Sequence, residues 1–528
     1  MKLTGFLFAA ALLGTCTQPA AEENYTRHVD PKIGTGGHGH VFVGANVPFG
    51  LVQVGPTSIP QTWDWCSGYH ASDSTVIGFS HTHLSGTGIG DLFDVTVMPV
   101  TGEVTYARGT EDDPTSGLWS YADRTQEIAR PGYYSVPLTR YGIRAELTAT
   151  ARVGLHRYTF PASDAAAVVF DLENGGCWDK ATETHLAKEG DRTVTGWRHS
   201  TGWAKDQRVY FVAEFSKPFE KFETIGDNYA RASFRTTDGE QVSLKVALSP
   251  VSVEGARENL AAELPGWDFE ETAKAADKAW NDELSKVKIT TADETARRIF
   301  YTALYHTMIA PSLFCDVNGD YYGSDHAIHR NADFTNYTTF SLWDTYRAAM
   351  PLMTVLHPEK MADIVQTMLT ISDEQGRLPV WHLWGNETDC MVGNPGIVAV
   401  ADAIVKGIGG FDREKAFEAI RKTAMNPDRG NGLRMEYGYI PCEMFNEAVA
   451  YDMEYALADG AAARAAETLG KAEDAKYFEE RSHSYRNYFD PATRFMRGRD
   501  SRKGWRTPFN AFASTHRADD YCEGNAWQ

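Results

Sequence analysis

The sequence predicts two domains, a β-sandwich followed by a helical toroid that is incomplete in this chain. Three observations support this fold class. The chain has 528 residues, more than one hydrophobic core usually organises. Apolar and polar residues alternate in short runs up to about residue 253, which is the period of β-strands. Beyond about residue 290, apolar residues recur at the spacing of amphipathic helices.

The first domain, residues 24–260, is interpreted as a large β-sandwich. Residues 209–215 alternate between apolar and polar side chains, and residues 165–172 are more continuously apolar. Turn clusters such as residues 31–39 and 236–239 separate the runs. Repeated short strands at this spacing are typical of a sandwich.

The remainder divides into a linker, residues 261–290, and a partial helical domain, residues 291–528. The linker is charged and rich in Ala, which predicts one amphipathic connecting helix. In the helical domain, residues 295–309 carry apolar side chains at i, i+3, i+4 and i+7. The same pattern predicts helices at residues 361–371, 415–424, 448–469 and 475–489. Long polar and aromatic connectors lie between these helices, so we expect their loops to meet at one end of the toroid.

Residues 1–23 are interpreted as a signal peptide. Lys2 precedes an apolar stretch, residues 3–13, which is too short to span a bilayer. The following residues, Gly14, Thr15 and Cys16, resemble a bacterial lipoprotein box. Cys16 is therefore either lipidated or incidental to a plain signal peptide. Both alternatives predict an exported bacterial protein, in the periplasm or on the outer membrane. Only the lipidated alternative predicts a membrane attachment, through a lipid anchor at Cys16.

Composition and the C-terminal sequence add two expectations. The net charge of −20 and the lack of a basic run exclude a nucleic-acid partner, because such binding needs clustered Lys and Arg. The chain stops at Gln528 without a helix stop signal. We therefore expect a C-terminally truncated domain, and expect the 528-residue chain alone to be inactive and poorly soluble.

His81 and His83 belong to a Gly-rich segment, residues 78–91. At this spacing both side chains share one face of a strand, where they would either bind a metal or be hydrogen-bonded structural histidines. The segment supplies no third ligand, which favours the structural alternative.

Two later segments combine tryptophan with carboxylates, residues 340–347 and 381–389. The side chains of interest are Trp343, Asp344, Arg347, Glu387 and Asp389. A Trp beside an Asp offers a stacking face and a hydroxyl acceptor, as carbohydrate sites require. The alternative is that Trp343 is a core residue and that Asp344 pairs with Arg347 one helical turn on.

Glu523 precedes Gly-Asn-Ala-Trp close to the end of the chain. It is either a helix-start carboxylate or a general acid held among aromatic side chains, where desolvation raises a carboxyl pKa.

Together these segments resemble glycoside hydrolase family 92, the calcium-dependent inverting α-mannosidases. The resemblance covers nearly the whole chain in order. It is carried by residues 33–40, 46–50, 63–69, 78–90, 202–207, 341–347, 495–499 and 523–528.

The resemblance implies a β-sandwich packed on an (α/α)6 catalytic domain, with the active site between them. It further implies that Glu523 is the general acid and that a Ca2+ ion contacts two sugar hydroxyls and helps distort the ring. The expected substrate-binding residues are Trp65, Trp343, Asp344, Arg347, Glu387, Asp389, His81 and His83. The calcium ligands and the general base are expected in sequence C-terminal to this chain.

The implied function is exo-hydrolysis, with inversion, of terminal α-mannosyl linkages, α-1,2 or related ones, in N-glycans or mannan. Two alternatives share this architecture. One is an inverting phosphorylase, which uses phosphate in place of the base and water. The other is a surface glycan-binding protein that has lost catalysis.

Overall fold

The structure is a computed structural model that describes residues 23–113, 115–515 and 519–528. Residues 1–22 of the predicted signal peptide, including Cys16, lie outside the described residues. Of the helices in the described part of the chain, none is long and apolar enough to cross a membrane.

The N-terminal domain consists of β-strands. In chain order they are β1 (Ala45–Asn46), β2 (Gln53–Thr57), β3 (Thr75–Val76), β4 (Gly78–Ser80), β5 (Thr96–Thr101), β6 (Ser120–Tyr121), β7 (Ile128–Arg130), β8 (Tyr133–Leu138), β9 (Ile143–Ala149), β10 (Val153–Phe160), β11 (Ser163–Asp171), β12 (Lys180–Glu189), β13 (Thr193–Thr201), β14 (Gln207–Phe215), β15 (Lys221–Ile225), β16 (Tyr229–Thr236) and β17 (Glu240–Ser249).

Fifteen of these strands form two antiparallel sheets that pack face to face, as the sequence predicts, and β3 and β6 pair separately. One has seven strands in the order β1-β2-β4-β5-β11-β16-β15, and the other has eight in the order β12-β13-β14-β17-β10-β9-β8-β7. Their inner faces share one apolar core. Phe170 of β11 and Phe211 of β14 stack across the two sheets, with ring centroids 6.1 Å apart. Strand β14 keeps the predicted alternation, and β11 is more continuously apolar because it lies inside the sheet between β5 and β16.

Two helices follow the sandwich where the sequence predicts a single connector. They are α1 (Val253–Glu263) and α2 (Phe269–Leu284). Pro265 and Gly266 separate them, since proline cannot continue a helical hydrogen-bond ladder. Both helices pack on the outer face of the eight-stranded sheet, where Leu260 joins an apolar cluster that includes Val212.

The second domain is mainly helical, which confirms the predicted order of sandwich and helical domain. Its helices are α3 (Glu294–His306), α4 (Leu342–Thr345), α5 (Ala349–Leu356), α6 (Pro358–Gln375), α7 (Pro395–Val405), α8 (Arg413–Ala424), α9 (Asn431–Tyr437), α10 (Ala448–Thr468) and α11 (Ala472–Arg481). Short strands in its loops are β18 (Ser312–Leu313), β19 (Tyr321–Tyr322), β20 (Ile328–His329), β21 (Tyr337–Thr338), β22 (Phe340–Ser341), β23 (Trp381–Leu383), β24 (Asn386–Glu387), β25 (Phe489–Asp490) and β26 (Phe495–Met496).

Helix α11 is shorter than the sequence predicts. The apolar periodicity continues to residue 489, whereas the helix ends at Arg481. Beyond it, the hydroxyls of Ser484 and Tyr488 donate to the two carboxylate oxygens of Asp452, at 2.6 and 2.9 Å. These tertiary hydrogen bonds stabilise a 3₁₀ turn, Ser484–Tyr488, in place of a continued α-helix.

Candidate active site

A cleft of about 500 Å³ lies between the two domains. Its walls are aromatic and carry two carboxylates. The lining residues are His40, Trp63, Gly86, Thr87, Gly88, Ile89, Trp178, Trp203, Trp343, Asp344, Trp381, Cys390, Met391 and Glu523. Indole faces beside a few polar groups are suited to sugar rings.

Trp63 forms one part of the wall from the N-terminal domain. Its side chain is 50% exposed, and its indole Nε1 donates to the Gly88 carbonyl at 2.9 Å. A Cβ at Gly88 would lie 2.4 Å from the Trp63 ring, so this close packing requires glycine. The edge of the His40 ring completes the contact, with centroids 4.2 Å apart.

Trp178 and Trp203 form the neighbouring part of the wall, and Asp91 positions both. Asp91 is fully buried. Its carboxylate accepts from Trp178 Nε1 at 2.9 Å and from the backbone N–H groups of Trp203 and Ala204 at 3.1 and 2.9 Å. Burial raises the pKa of Asp91, and these three donors oppose the shift.

We expect Asp91→Asn to destabilise the protein by about 1–3 kcal/mol, because the amide NH2 would face a backbone N–H that now has an acceptor. Loosening Trp178 and Trp203 should also weaken sugar binding. Urea unfolding and intrinsic tryptophan fluorescence measure the two effects. Asp112→Asn, at an exposed position, is the matched control and should change stability by less than about 0.5 kcal/mol. Equal stability of the two variants would contradict the positioning role of Asp91.

Asp171 begins the loop that leads to Trp178. Its Oδ1 accepts from the backbone N–H groups of Glu173 and Asn174, both at 3.0 Å. Burial raises the pKa of this carboxyl to about 6. Between about pH 4 and about pH 6 the Asp171 carboxyl is therefore protonated in the folded state and ionised in the unfolded state. As a result, the free energy of unfolding falls as pH rises through this range.

Asp171→Asn removes this charge and keeps an acceptor. We expect its unfolding free energy, relative to wild type, to increase as pH rises from about 4 to about 6. Denaturant unfolding of both proteins across this pH range measures the difference. A pH-independent difference would contradict the raised pKa.

Trp343, Asp344 and Arg347 project from α4 and the turn after it. The Arg347 guanidinium lies 4.8 Å from the centroid of the Trp343 ring and donates to the Glu454 carboxylate at 2.8 Å. Asp344 is exposed to the cleft and accepts from Ser341 Oγ at 2.5 Å. The alternative in which Asp344 pairs with Arg347 is thus replaced by the Arg347–Glu454 pair, which leaves the Asp344 carboxylate facing the cleft.

Glu523 lines the same cleft. Its backbone φ is 48°, in the left-handed region, which costs a residue with a Cβ about 1 kcal/mol. Within the described part of the chain its exposed carboxylate makes no hydrogen bond or ion pair. Strain of this kind is found at functional sites, where surrounding structure holds a side chain in place.

Trp65 lies behind this wall instead of in it. Its side chain is buried, its Nε1 donates to Asp73 at 2.8 Å, and its ring stacks on His70 at 4.4 Å. The expected sugar contact is corrected accordingly, since the 3₁₀ turn at residues 63–65 directs Trp63 outward and Trp65 inward.

His81 and His83 are structural core residues, in agreement with the favoured alternative for this pair. Their expected role in substrate binding is therefore corrected. Both are buried in the sandwich. His81 binds the Val95 carbonyl at 2.6 Å and His156 at 2.8 Å, and His83 binds the Gln53 carbonyl at 2.7 Å. Burial lowers the pKa of His81 to about 3 and of His83 to about 4, so both are neutral near pH 7.

Glu387 and Asp389 shape the loop beside the cleft. The Glu387 carboxylate accepts from the backbone N–H groups of Val380, Trp381 and Asp389 at 2.8–3.0 Å. It therefore holds the turn that presents Trp381. Asp389 pairs with Arg377 and lines an adjoining chamber of about 910 Å³, which shares Trp203 and Cys390 with the cleft.

Sequence analysis did not assign a site role to several residues that line the cleft. They are His40, Trp63, Trp178, Trp203 and Trp381. The signal that they share is an aromatic side chain close to glycine in a connector, and Gly176 and Gly202 precede Trp178 and Trp203 in this way. The periodicity of the sequence does not identify such residues, because they follow neither strand nor helix spacing.

The two domains match family models. Residues 28–249 match the glycosyl hydrolase family 92 N-terminal domain, and residues 255–528 match the glycosyl hydrolase family 92 catalytic domain. The chain belongs to glycosyl hydrolase family 92.

Solved structures of the same family share the fold of this family 92 chain. A family GH92 alpha-mannosidase from Bacteroides thetaiotaomicron, in complex with mannoimidazole, is 39% identical, with a TM-score of 0.92 over 96% of this chain and 70% of that chain. The GH92 inverting mannosidase from strain VPI-5482 of that species is 28% identical, with a TM-score of 0.86 over 97% of this chain and 71% of that chain.

A curated relative is described as an uncharacterized secreted glycosidase of Arthroderma benhamiae. It is 26% identical over 91% of this chain. The family 92 chain spans 64% of the length of this relative.

Proposed function

We propose that this chain belongs to an exo-acting α-mannosidase that hydrolyses terminal α-mannosyl linkages with inversion, Glu523 being the general acid. The observation that carries the proposal is the Glu523 carboxylate, which has no ion-pair partner among the described residues and faces an interdomain cleft lined by indole rings and by Asp344. Family membership supports the reaction class, and the mannosidase relatives support the sugar.

In the proposed reaction the protonated Glu523 carboxyl donates its proton to the glycosidic oxygen as the C1–O bond breaks. A base removes a proton from water as that water attacks C1 from the opposite face. The two carboxyl groups of an inverting site lie roughly 6.5–9.5 Å apart, which leaves room for the water. The products are β-mannose and the free leaving sugar. We assign no residue of this chain to the base.

The other cleft residues would bind and orient the terminal sugar. The two oxygens of Asp344 suit neighbouring hydroxyls, and a charge-assisted hydrogen bond of this kind contributes about 1.5–3 kcal/mol. The indole of Trp343, held by Arg347, offers a flat face for the ring C–H groups. Trp63 and Trp203 face the same space from the other domain and would contact the sugar that leaves.

Calcium is part of the proposal through family membership. Ca2+ takes six to eight oxygen ligands, whereas the cleft lining contains two carboxylates, those of Asp344 and Glu523. These residues do not by themselves form a calcium site, and no step above depends on the ion. We also propose export of the protein, which the secreted relative supports.

The test is incubation of the purified product of the complete gene with α-linked mannobioses, and NMR identifies the anomer that is released. The expected result is β-mannose, released faster with calcium than after chelation. Initial release of α-mannose would overturn inversion. Release of mannose 1-phosphate only when phosphate is present would replace hydrolysis with phosphorolysis. Binding of mannobioses without cleavage by the product of the complete gene would indicate a glycan-binding protein.

A further inference from the structure

Three side chains with metal-ligand chemistry converge outside the cleft. Asp325 and His329 lie on the hairpin formed by β19 and β20, and Glu374 lies in the last turn of α6. One ligand atom from each lies within 4.8 Å of the others. His329 Nε2 is 3.1 Å from Asp325 Oδ1 and 3.3 Å from Glu374 Oε1.

Two of these separations match the edge of a tetrahedral metal site, and the third, between the Asp325 and Glu374 carboxylates, is at most 4.8 Å. Zinc binds His nitrogen and carboxylate oxygen at about 2.0–2.1 Å. The edge of a tetrahedron with that radius is about 3.3 Å, so two ligand atoms on one ion are separated by that distance. Both imidazole–carboxylate separations are within about 0.2 Å of this value.

Surrounding groups hold Glu374 and His329 in place. Tyr321 Oη and the Ser324 backbone N–H donate to the two oxygens of Glu374, at 3.0 and 2.7 Å. The Tyr321 ring stacks on His329 with a centroid distance of 4.8 Å and an interplanar angle of 9°. Such outer contacts orient ligands in metal proteins.

The backbone leaves open space beside the same side chains. A Cβ at Gly323 would lie 2.6 Å from Asp325 Oδ1 and 2.7 Å from His329 Nε2. Glycine at this position therefore leaves the space beside the Asp325 carboxylate and the His329 imidazole free of a side chain.

The donor set separates this cluster from the calcium that the family implies. Calcium prefers oxygen ligands in large number, whereas one imidazole with two carboxylates suits zinc and other divalent transition metals. None of the three residues lines the cleft. The connection to it is indirect: Ser324 Oγ contacts His382 Nε2 at 2.9 Å, and His382 follows Trp381 on β23.

We propose that Asp325, His329 and Glu374 bind a zinc ion, with water in the fourth position. The ion joins the β19–β20 hairpin to the end of α6 and supports the strand that presents Trp381. This role is structural and does not depend on the proposed hydrolysis.

The test is zinc binding by the protein after dialysis against a chelator, measured by calorimetry and by elemental analysis of the gel-filtered protein. We expect one zinc per chain, and affinity lower by more than about 100-fold in both His329→Ala and Glu374→Gln. Asp333→Asn, an exposed carboxylate on the same loop, is the matched control and should bind zinc as the wild type does.

A crystal of the wild-type protein soaked in zinc gives a measurement that does not depend on the folding of a variant. Anomalous difference density between the three side chains is the expected result. Density elsewhere only, binding that survives both ligand substitutions, or no binding at micromolar zinc would overturn the proposal. In that case the cluster is a hydrogen-bonded ion triad of His329 with its two carboxylates.

Discussion

Glu523→Gln in the product of the complete gene is expected to lower the rate of α-mannobiose hydrolysis by about 10²–10⁴-fold, the contribution of a positioned general acid. The amide keeps the size of the side chain but has no proton of suitable acidity for the departing oxygen. Substrate binding should change little, so that the loss falls on kcat more than on KM.

The leaving group decides whether this loss reflects general-acid catalysis. A dinitrophenyl mannoside has a leaving oxygen that needs no protonation, and the variant should hydrolyse it at nearly the wild-type rate. Glu436→Gln, exposed on α9, is the matched control and should retain full activity on both substrates. An equal loss on both mannosides would mean that Glu523 binds or orients the sugar and does not protonate the leaving group.

Arg198→Ala is expected to destabilise the protein by about 3–5 kcal/mol, the usual result of removing one partner from a buried ion pair. Arg198 is completely buried. Its guanidinium donates to Asp94 at 2.7 Å, to Asp179, and through Nε to the Leu172 carbonyl at 2.9 Å. The substitution leaves two carboxylates without their cation beside the loop that carries Trp178.

The pH dependence of this variant distinguishes loss of charge pairing from loss of packing. Burial raises the pKa of Asp179 to about 6 even with the arginine present. Without Arg198 its pKa should rise further, so protonation should relieve part of the destabilisation as pH falls from 7 toward 5. Urea unfolding at both values measures this effect. A loss below about 1 kcal/mol at pH 7, or a loss that does not change with pH, would contradict the ion-pair account. Arg298→Ala, at an exposed position, should change stability by less than about 0.5 kcal/mol.

Regular elements with one buried face were predictable from the sequence. The alternation in β14 and the apolar spacing in α6 identify both elements and show which side of each faces the core. The sequence also selected Asp344, because a carboxylate beside tryptophan is conspicuous, and Glu523, through the motif that resembles family 92; both line the cleft. In both cases the decisive interaction is local, within one strand, one helical turn or one short motif.

The sequence did not decide the role of residues for which the direction of the side chain matters. Trp63 and Trp65 stand in one motif, and only the 3₁₀ turn directs the first into the cleft and the second against Asp73. His81 and His83 have a spacing that fits both a metal pair and a core pair, and only the lack of a third ligand in the segment favours the core pair. The sheet partners Gln53 and Val95, which accept their hydrogen bonds, make them core residues.

By itself the sequence determined the order of a β-sandwich and a helical domain, the resemblance to family 92 and the candidate acid Glu523. The tertiary structure alone decided which tryptophans form the cleft, that Asp91 holds two of them, and that Asp325 and His329 meet Glu374. The physical reason is that these contacts join segments distant along the chain. Periodicity reports the burial of one segment at a time, whereas a site depends on the angles at which several segments pack.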